Sequence, residues 1–269
     1  MQLNGVTAGV PWVAQPPAGG SRPDAPVVIG YHLLDAPRTE EAFAAAVPLT
    51  GLDAWKIYPG LPMSGSRLPA GGAEELWRLV LADAVRNVHG PILLGALAEF
   101  PALLTGIRGQ LRLDPAAPVG VMGGSMGGAV AQLALAEGGI PVRAAVLINP
   151  VVRLRDTIDA LSAFHGTHYT WAPQTAALAE RIDFVRRAAD LSGTAIRFVT
   201  GADDMVDAII DPVAAAVPAL RAAGGTVDWQ VVPDMAHALA DEPGVDAAPQ
   251  TPHAAIVDGL ATDWFRRSL

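Results

Sequence analysis

The stretch Val119–Ala131, Val-Gly-Val-Met-Gly-Gly-Ser-Met-Gly-Gly-Ala-Val-Ala, constrains this chain more than any other. A short apolar run ends at Met122, Gly123-Gly124-Ser125-Met126-Gly127 follows, and the small residues from Gly128 to Ala136 read as a helix. Strand, sharp turn and helix, in that order, is the setting in which a G-x-S-x-G serine is raised as a nucleophile. The turn holds such a serine in a sparsely populated backbone region, at about 1–3 kcal/mol. Gly123 and Gly127, two residues either side, are the type that lets other backbone come close. The helix that follows aims its free N–H groups and positive dipole end at the same spot. The plainer reading is an incidental serine in a Gly-rich turn. With 7 serines and 28 glycines in 269 residues, chance predicts roughly 0.08 such matches, and no other serine here has glycine at both offsets.

The rest of the chain alternates. Strands are expected near Leu3–Val10 and Trp12–Gln15 as an opening hairpin, then at Pro26–His32, Ala54–Tyr58, the run into Met122, Arg143–Ile148, Ala195–Thr200 and Val227–Val232. Helices are expected at Thr39–Ala46, Ala73–His89, Pro212–Ala223 and His253–Arg267. Pro91–Leu111 reads as a helical extension interrupted at Pro101 and Gly106. Strands alternating with helices imply an α/β protein with a mostly parallel sheet covered on both faces. The alternation stops between Val151 and Leu191, where helical stretches at about Leu154–Phe164 and Gln174–Ala189 flank a segment holding His165, His168, Tyr169 and Trp171.

The stretch Asp114–Gly128 resembles the elbow of the α/β-hydrolase superfamily, in its bacterial esterase, dienelactone-hydrolase-like and prolyl-oligopeptidase-like branches. The resemblance extends more weakly from about Pro26 to the C-terminus. It implies one α/β-hydrolase domain over residues 1–269 with a small helical cap inserted at about 151–191. It also implies a serine, acid, histidine order for the residues that activate Ser125. A serine hydroxyl needs a base, and the base needs an orienting acid. Gly201-Ala202-Asp203-Asp204 is similar to the superfamily's Gly-x-x-Asp turn and points to Asp204, with Asp203 and Asp207 as competitors. Pro233-Asp234-Met235-Ala236-His237 is similar to its Pro-x-x-x-His loop and points to His237. Two backbone donors for an oxyanion are implied as well. One is the Met126 N–H. The other comes from the loop after Ile29–His32, where relatives usually carry His-Gly-x and this chain has His32-Leu33-Leu34. Matching the histidine makes Leu34 the donor, with Leu33 and Tyr31 as alternatives.

Together these imply a Ser-His-Asp hydrolase acting on small or medium carboxylic esters, with no cofactor or metal. Thioesterases and amidases or peptidases share the same triad, and a non-catalytic scaffold that binds a small molecule is an alternative of a different class. Composition agrees with an enzyme for a small-molecule ester. The chain is 51% hydrophobic and 17% charged, with net charge -9 and a pI near 5.0, which argues against nucleic acid or an anionic membrane surface as partner. There is no cysteine for thiol or disulfide chemistry. No basic segment followed by an apolar one opens the chain, so the cytoplasm is the expected compartment. Gly, Pro or charges interrupt each apolar run, so no membrane span is expected. His165 and His168 have metal-like spacing but no carboxylate motif beside them, and Tyr169 and Trp171 fit a pocket wall or cap core equally. Oligomeric state is not readable.

Overall fold

The computed structural model describes residues 2–269. Strands β1 (Leu3–Thr7) and β2 (Val10–Gln15) form an antiparallel hairpin around Ala8 and Gly9, both at positive φ. They are followed by β3 (Val27–Tyr31), β4 (Trp55–Pro59), β5 (Val119–Gly124), β6 (Ala144–Ile148), β7 (Ala195–Gly201) and β8 (Val227–Val232). The eight strands make one sheet in the order β1-β2-β4-β3-β5-β6-β7-β8. The β1–β2 and β2–β4 pairs are antiparallel, and every pair from β4 to β8 is parallel. Every residue of β3, β4, β5 and β6 is buried, as expected for strands covered on both faces.

Among the described residues there are nine α-helices: α1 (Glu40–Ala46), α2 (Gly72–Ala84), α3 (Gly90–Leu111), α4 (Ser125–Glu137), α5 (Leu154–Phe164), α6 (Pro173–Arg181), α7 (Ala188–Leu191), α8 (Asp211–Ala222) and α9 (Pro252–Ser268). Thr39 and Thr251 cap α1 and α9 by accepting the backbone N–H three residues on. Two apolar clusters follow from the alternation of strand side chains. One joins α3, α4, α5 and α8 to Val27, Ile29 and Val121; the other joins α1 and α9 to Val28, Met122 and Val146.

Pairing register brings strand ends to one edge. Tyr31 lies beside Gly123, Gly124 beside Ile148, Ile148 beside Val199, and Gly201 beside Val232. The carboxyl ends of β3, β5, β6, β7 and β8 therefore open onto the same rim, where open α/β sheets hold their ligands.

Two expectations are corrected. Pro91–Leu111 is not interrupted. Pro101 lies inside a continuous α3, and Gly106 is a packing glycine, since a Cβ there would overlap the Thr7 side chain on β1. With a π-helical turn at Val85–His89, and a kink at Asp83 whose backbone is extended rather than helical (φ -170°, ψ 98°), the helical segment spans Gly72–Leu111, so among the described residues one segment is, by length and composition, apolar enough to cross a membrane. It bears a buried stripe through Ile92, Leu93, Ala96, Phe100, Leu103, Leu104 and Ile107 that packs against the body of the protein. By contrast, α2 has no fully buried residue, and Trp77 and Leu81 are exposed. The expected helix Gln174–Ala189 is also broken. Leu154 and Phe184 exchange backbone bonds with Ile182 and Val152, and Ile182 and Phe184 are buried, so apolar burial and strand-like pairing end α6 at Arg181.

Candidate active site

Ser125 is the first residue of α4 and has φ 48°, a left-handed conformation unusual for a residue with a side chain. The glycines around it explain how the chain takes that path. A Cβ on Gly123 would overlap the carbonyl of Gly127, and one on Gly127 would overlap the carbonyls of Tyr31 and His32. A Cβ on Gly124 would enter the Leu33 side chain, and one on Gly128 would come within 2.7 Å of the Pro150 Cβ. The elbow's own next turn and two other segments, Tyr31–Leu33 and Pro150, thus close on these positions, and only glycine leaves room.

The rim assembles the other side chains. His237 Nε2 stands 2.8 Å from Ser125 Oγ, and His237 Nδ1 stands 2.9 and 3.0 Å from the two carboxylate oxygens of Asp204. The Asp204 side chain is fully buried and also accepts the Met205 N–H at 2.7 Å. An imidazole with a carboxylate on Nδ1 donates there, which leaves Nε2 free to accept from a hydroxyl. Burial disfavours the charged form of His237. The Asp204 hydrogen bond and charge, helped by Asp35, outweigh it and hold the imidazole above its ordinary value. Asp203 and Asp207 are exposed and do not reach the histidine; the Asp203 N–H instead donates to Met235 O.

The loop after β3 lies against the same elbow. His32 is buried, and burial pushes its pKa down to about 4, so the ring is neutral. Its Nδ1 donates to Leu33 O at 2.6 Å and its Nε2 accepts the Leu61 N–H at 3.1 Å. Those two bonds and the contact of Leu33 with Gly124 fix the path of the chain into half-buried Leu34. His165 and His168 are exposed, away from any such bond. Tyr169 donates to Asp83 at the end of α2 and packs on Trp171, tying the segment after α5 to that helix.

One residue escaped the sequence reading. Asn149, buried at the end of β6 with φ 41°, accepts the Gly201 N–H at 2.8 Å and donates to the carbonyls of Ala236 and His237 at 3.2 and 3.0 Å. It therefore ties the strand that leads to Asp204 to the loop that carries His237. The Asn-Pro step after β6 was visible, but an asparagine in that position reads as a simple turn former.

Sheet order, helices on both faces and the serine elbow together define the α/β-hydrolase fold. No family model and no curated relative matches the chain. Solved structures match it over nearly its whole length. TT1662 from Thermus thermophilus aligns with a TM-score of 0.69 at 17% identity, over 99% of this chain and 97% of that one. A dienelactone hydrolase-like protein from Klebsiella pneumoniae aligns at 0.62 and 18% identity, over 99% of each chain. The Pyrococcus horikoshii acylaminoacyl peptidase aligns at 0.62 and 16% identity, over 100% of this chain but only 41% of the peptidase.

Proposed function

We propose that the chain is a serine hydrolase of carboxylic esters. The observation that carries the reading is the continuous chain of hydrogen bonds from buried Asp204 through His237 to Ser125, which sits at positive φ in the elbow. Solved structures of the same fold that include an esterase and peptidases lend support at the level of the hydrolase class.

In this reading His237 takes the Ser125 proton as Oγ attacks the acyl carbon, and Asp204 holds the tautomer and stabilises the imidazolium. The Met126 and Leu34 N–H groups donate hydrogen bonds to the developing oxyanion. His237 then passes its proton to the leaving alcohol, and in the second half-reaction it activates water to release the acid. No step needs a cofactor.

Ser125→Ala should stay folded and lose ester hydrolysis by several orders of magnitude, with no labelling by a fluorophosphonate. Wild-type protein that resists the label would support a silent binding scaffold instead. p-Nitrophenyl esters should turn over faster than aminoacyl nitroanilides; the reverse would move the reading to a peptidase.

A further inference from the structure

Asp35 stands on the loop after β3 with its Oδ2 3.6 Å from His237 Nε2, the same nitrogen that faces Ser125 Oγ at 2.8 Å. By the sum of those distances the carboxylate oxygen lies no more than about 6.4 Å from the serine oxygen. Its side chain is 59% exposed. Among the described residues no lysine or arginine pairs with it. Arg38, three residues on, is held instead by both carboxylate oxygens of Glu242 at 2.7 Å, and Arg67 is held by Glu99. The rim thus carries a carboxylate with no lysine or arginine counter-cation, 3.6 Å from the nitrogen that moves the proton. Nothing in the proposed steps uses it.

Its position relative to the histidine says which part of a substrate it meets. Nε2 takes the proton from Oγ and must hand it to the leaving oxygen, so that oxygen comes within hydrogen-bond reach of Nε2. A carboxylate 3.6 Å from the same nitrogen therefore borders the leaving group rather than the acyl chain. Atoms two or three bonds beyond the leaving oxygen fall alongside it.

We propose that Asp35 is a specificity-determining carboxylate that selects esters bearing a cationic centre in the alcohol portion, about two carbons from the ester oxygen. This rests on the serine-hydrolase reading above. The reaction is ordinary acyl transfer: Oγ bonds to the acyl carbon, the bond from that carbon to the alcohol oxygen breaks, and the Oγ proton leaves on the amino alcohol. An ammonium there gains attraction to Asp35, a neutral group gains nothing, and an anion is repelled. The imidazolium that forms during acylation shares the same field, and Asp35 contributes to the raised pKa of His237.

The test compares butyrylcholine with 3,3-dimethylbutyl butyrate, which match in shape and differ by one charge, using p-nitrophenyl butyrate as the reference ester. Wild type should favour the cationic ester in kcat/KM by about fivefold, the preference an incompletely buried ion pair supports, mostly through KM. The preference should fade in 0.5 M salt, because an exposed carboxylate is screened. It should fall to near one in Asp35→Asn and return in Asp35→Glu. A wild-type ratio near one, no turnover of either ester while p-nitrophenyl butyrate is cleaved, or a ratio that Asp35→Asn leaves unmoved overturns the assignment of Asp35 alone. No turnover of p-nitrophenyl butyrate by wild type would overturn the hydrolase reading and this one with it.

Discussion

The elbow and the helix α3 pack into the same apolar cluster and both carry glycines, yet Gly123 and Gly127 in the elbow and Gly109 in α3 do opposite things. Around Ser125 each glycine faces backbone or a buried side chain that has nowhere to go: Gly123 meets Gly127 and Gly128, and Gly127 meets Tyr31 and His32. In α3, Gly106 gives room to one threonine side chain on β1, and Gly109 meets nothing within 4 Å. A glycine forced by backbone contact writes a pattern that can be read from spacing alone. A glycine inside a continuous helix, such as Gly106, looks the same in the sequence and reads falsely as a break.

The largest effect that sharpens this contrast falls on the rim the elbow serves. Asp204→Asn should lower kcat by roughly 10⁴-fold, because an amide can stabilise the wrong tautomer of His237 and offers no charge to the imidazolium. Asp203→Asn, whose carboxyl is exposed and whose backbone does the local bonding, should stay within about tenfold. Both variants are compared by kcat/KM on one activated ester after folding is checked by circular dichroism. A larger loss at Asp203 than at Asp204 would reverse the assignment.

Next comes the elbow itself. Gly127→Ala places a methyl against the carbonyls of Tyr31 and His32, which are held by the β3 ladder and by the two bonds of the His32 ring. Overpacking against backbone that cannot yield should cost about 3 kcal/mol, a fall of roughly 6–12 °C in melting temperature for a domain of this size. Calorimetry checks it. A variant as stable as wild type would mean the loop after β3 is softer than its bonds suggest.

A pH series separates the two properties at one residue. His237 sits above its ordinary value of 6.5. Its protonated form therefore favours the folded state, a contribution fully present below 6.5 and lost as pH rises through the folded pKa. Activity runs the other way, because only the neutral ring can accept the Ser125 proton. Across the window just above 6.5, kcat/KM should climb while the melting temperature of wild type falls relative to His237→Gln. An activity limb at or below 6.5 would show that burial outweighs Asp204.

How much of this was legible follows the same division. The sheet, the elbow and the approach of Asp204 and His237 to Ser125 could be anticipated because strand ends, glycine offsets and loop motifs are local. Asn149 could not, since its worth lies in joining Gly201 to the carbonyls of Ala236 and His237, contacts more than 50 residues away in the chain. Asp35 was passed over for the same reason: its nearest functional neighbour is His237, not anything beside it in sequence. The breaks inside the segment after β6 were missed because Ile182 and Phe184 read as helix until the pairing with Val152 and Leu154 claims them.

The smallest effect tests the tolerant side of the comparison. Gly109 lies in the last turns of α3, is exposed, and would present an added Cβ to open space. It does not adopt positive φ, so alanine fits its backbone without strain. Gly109→Ala should then stabilise the fold by about 0.5 kcal/mol, at the low end of the range for such exchanges because the site is near a helix end, through the smaller entropy of the unfolded chain. That is a rise of roughly 1–2 °C in melting temperature, with ester hydrolysis unchanged because the residue touches neither the rim nor the elbow. A loss of stability would mean that α3 frays or bends at this point and that the glycine is needed for its conformation, as the sequence reading of an interrupted helix had supposed for Gly106. A gain alongside the loss at Gly127 would show that contact with backbone and not membership of a helix decides what a glycine contributes.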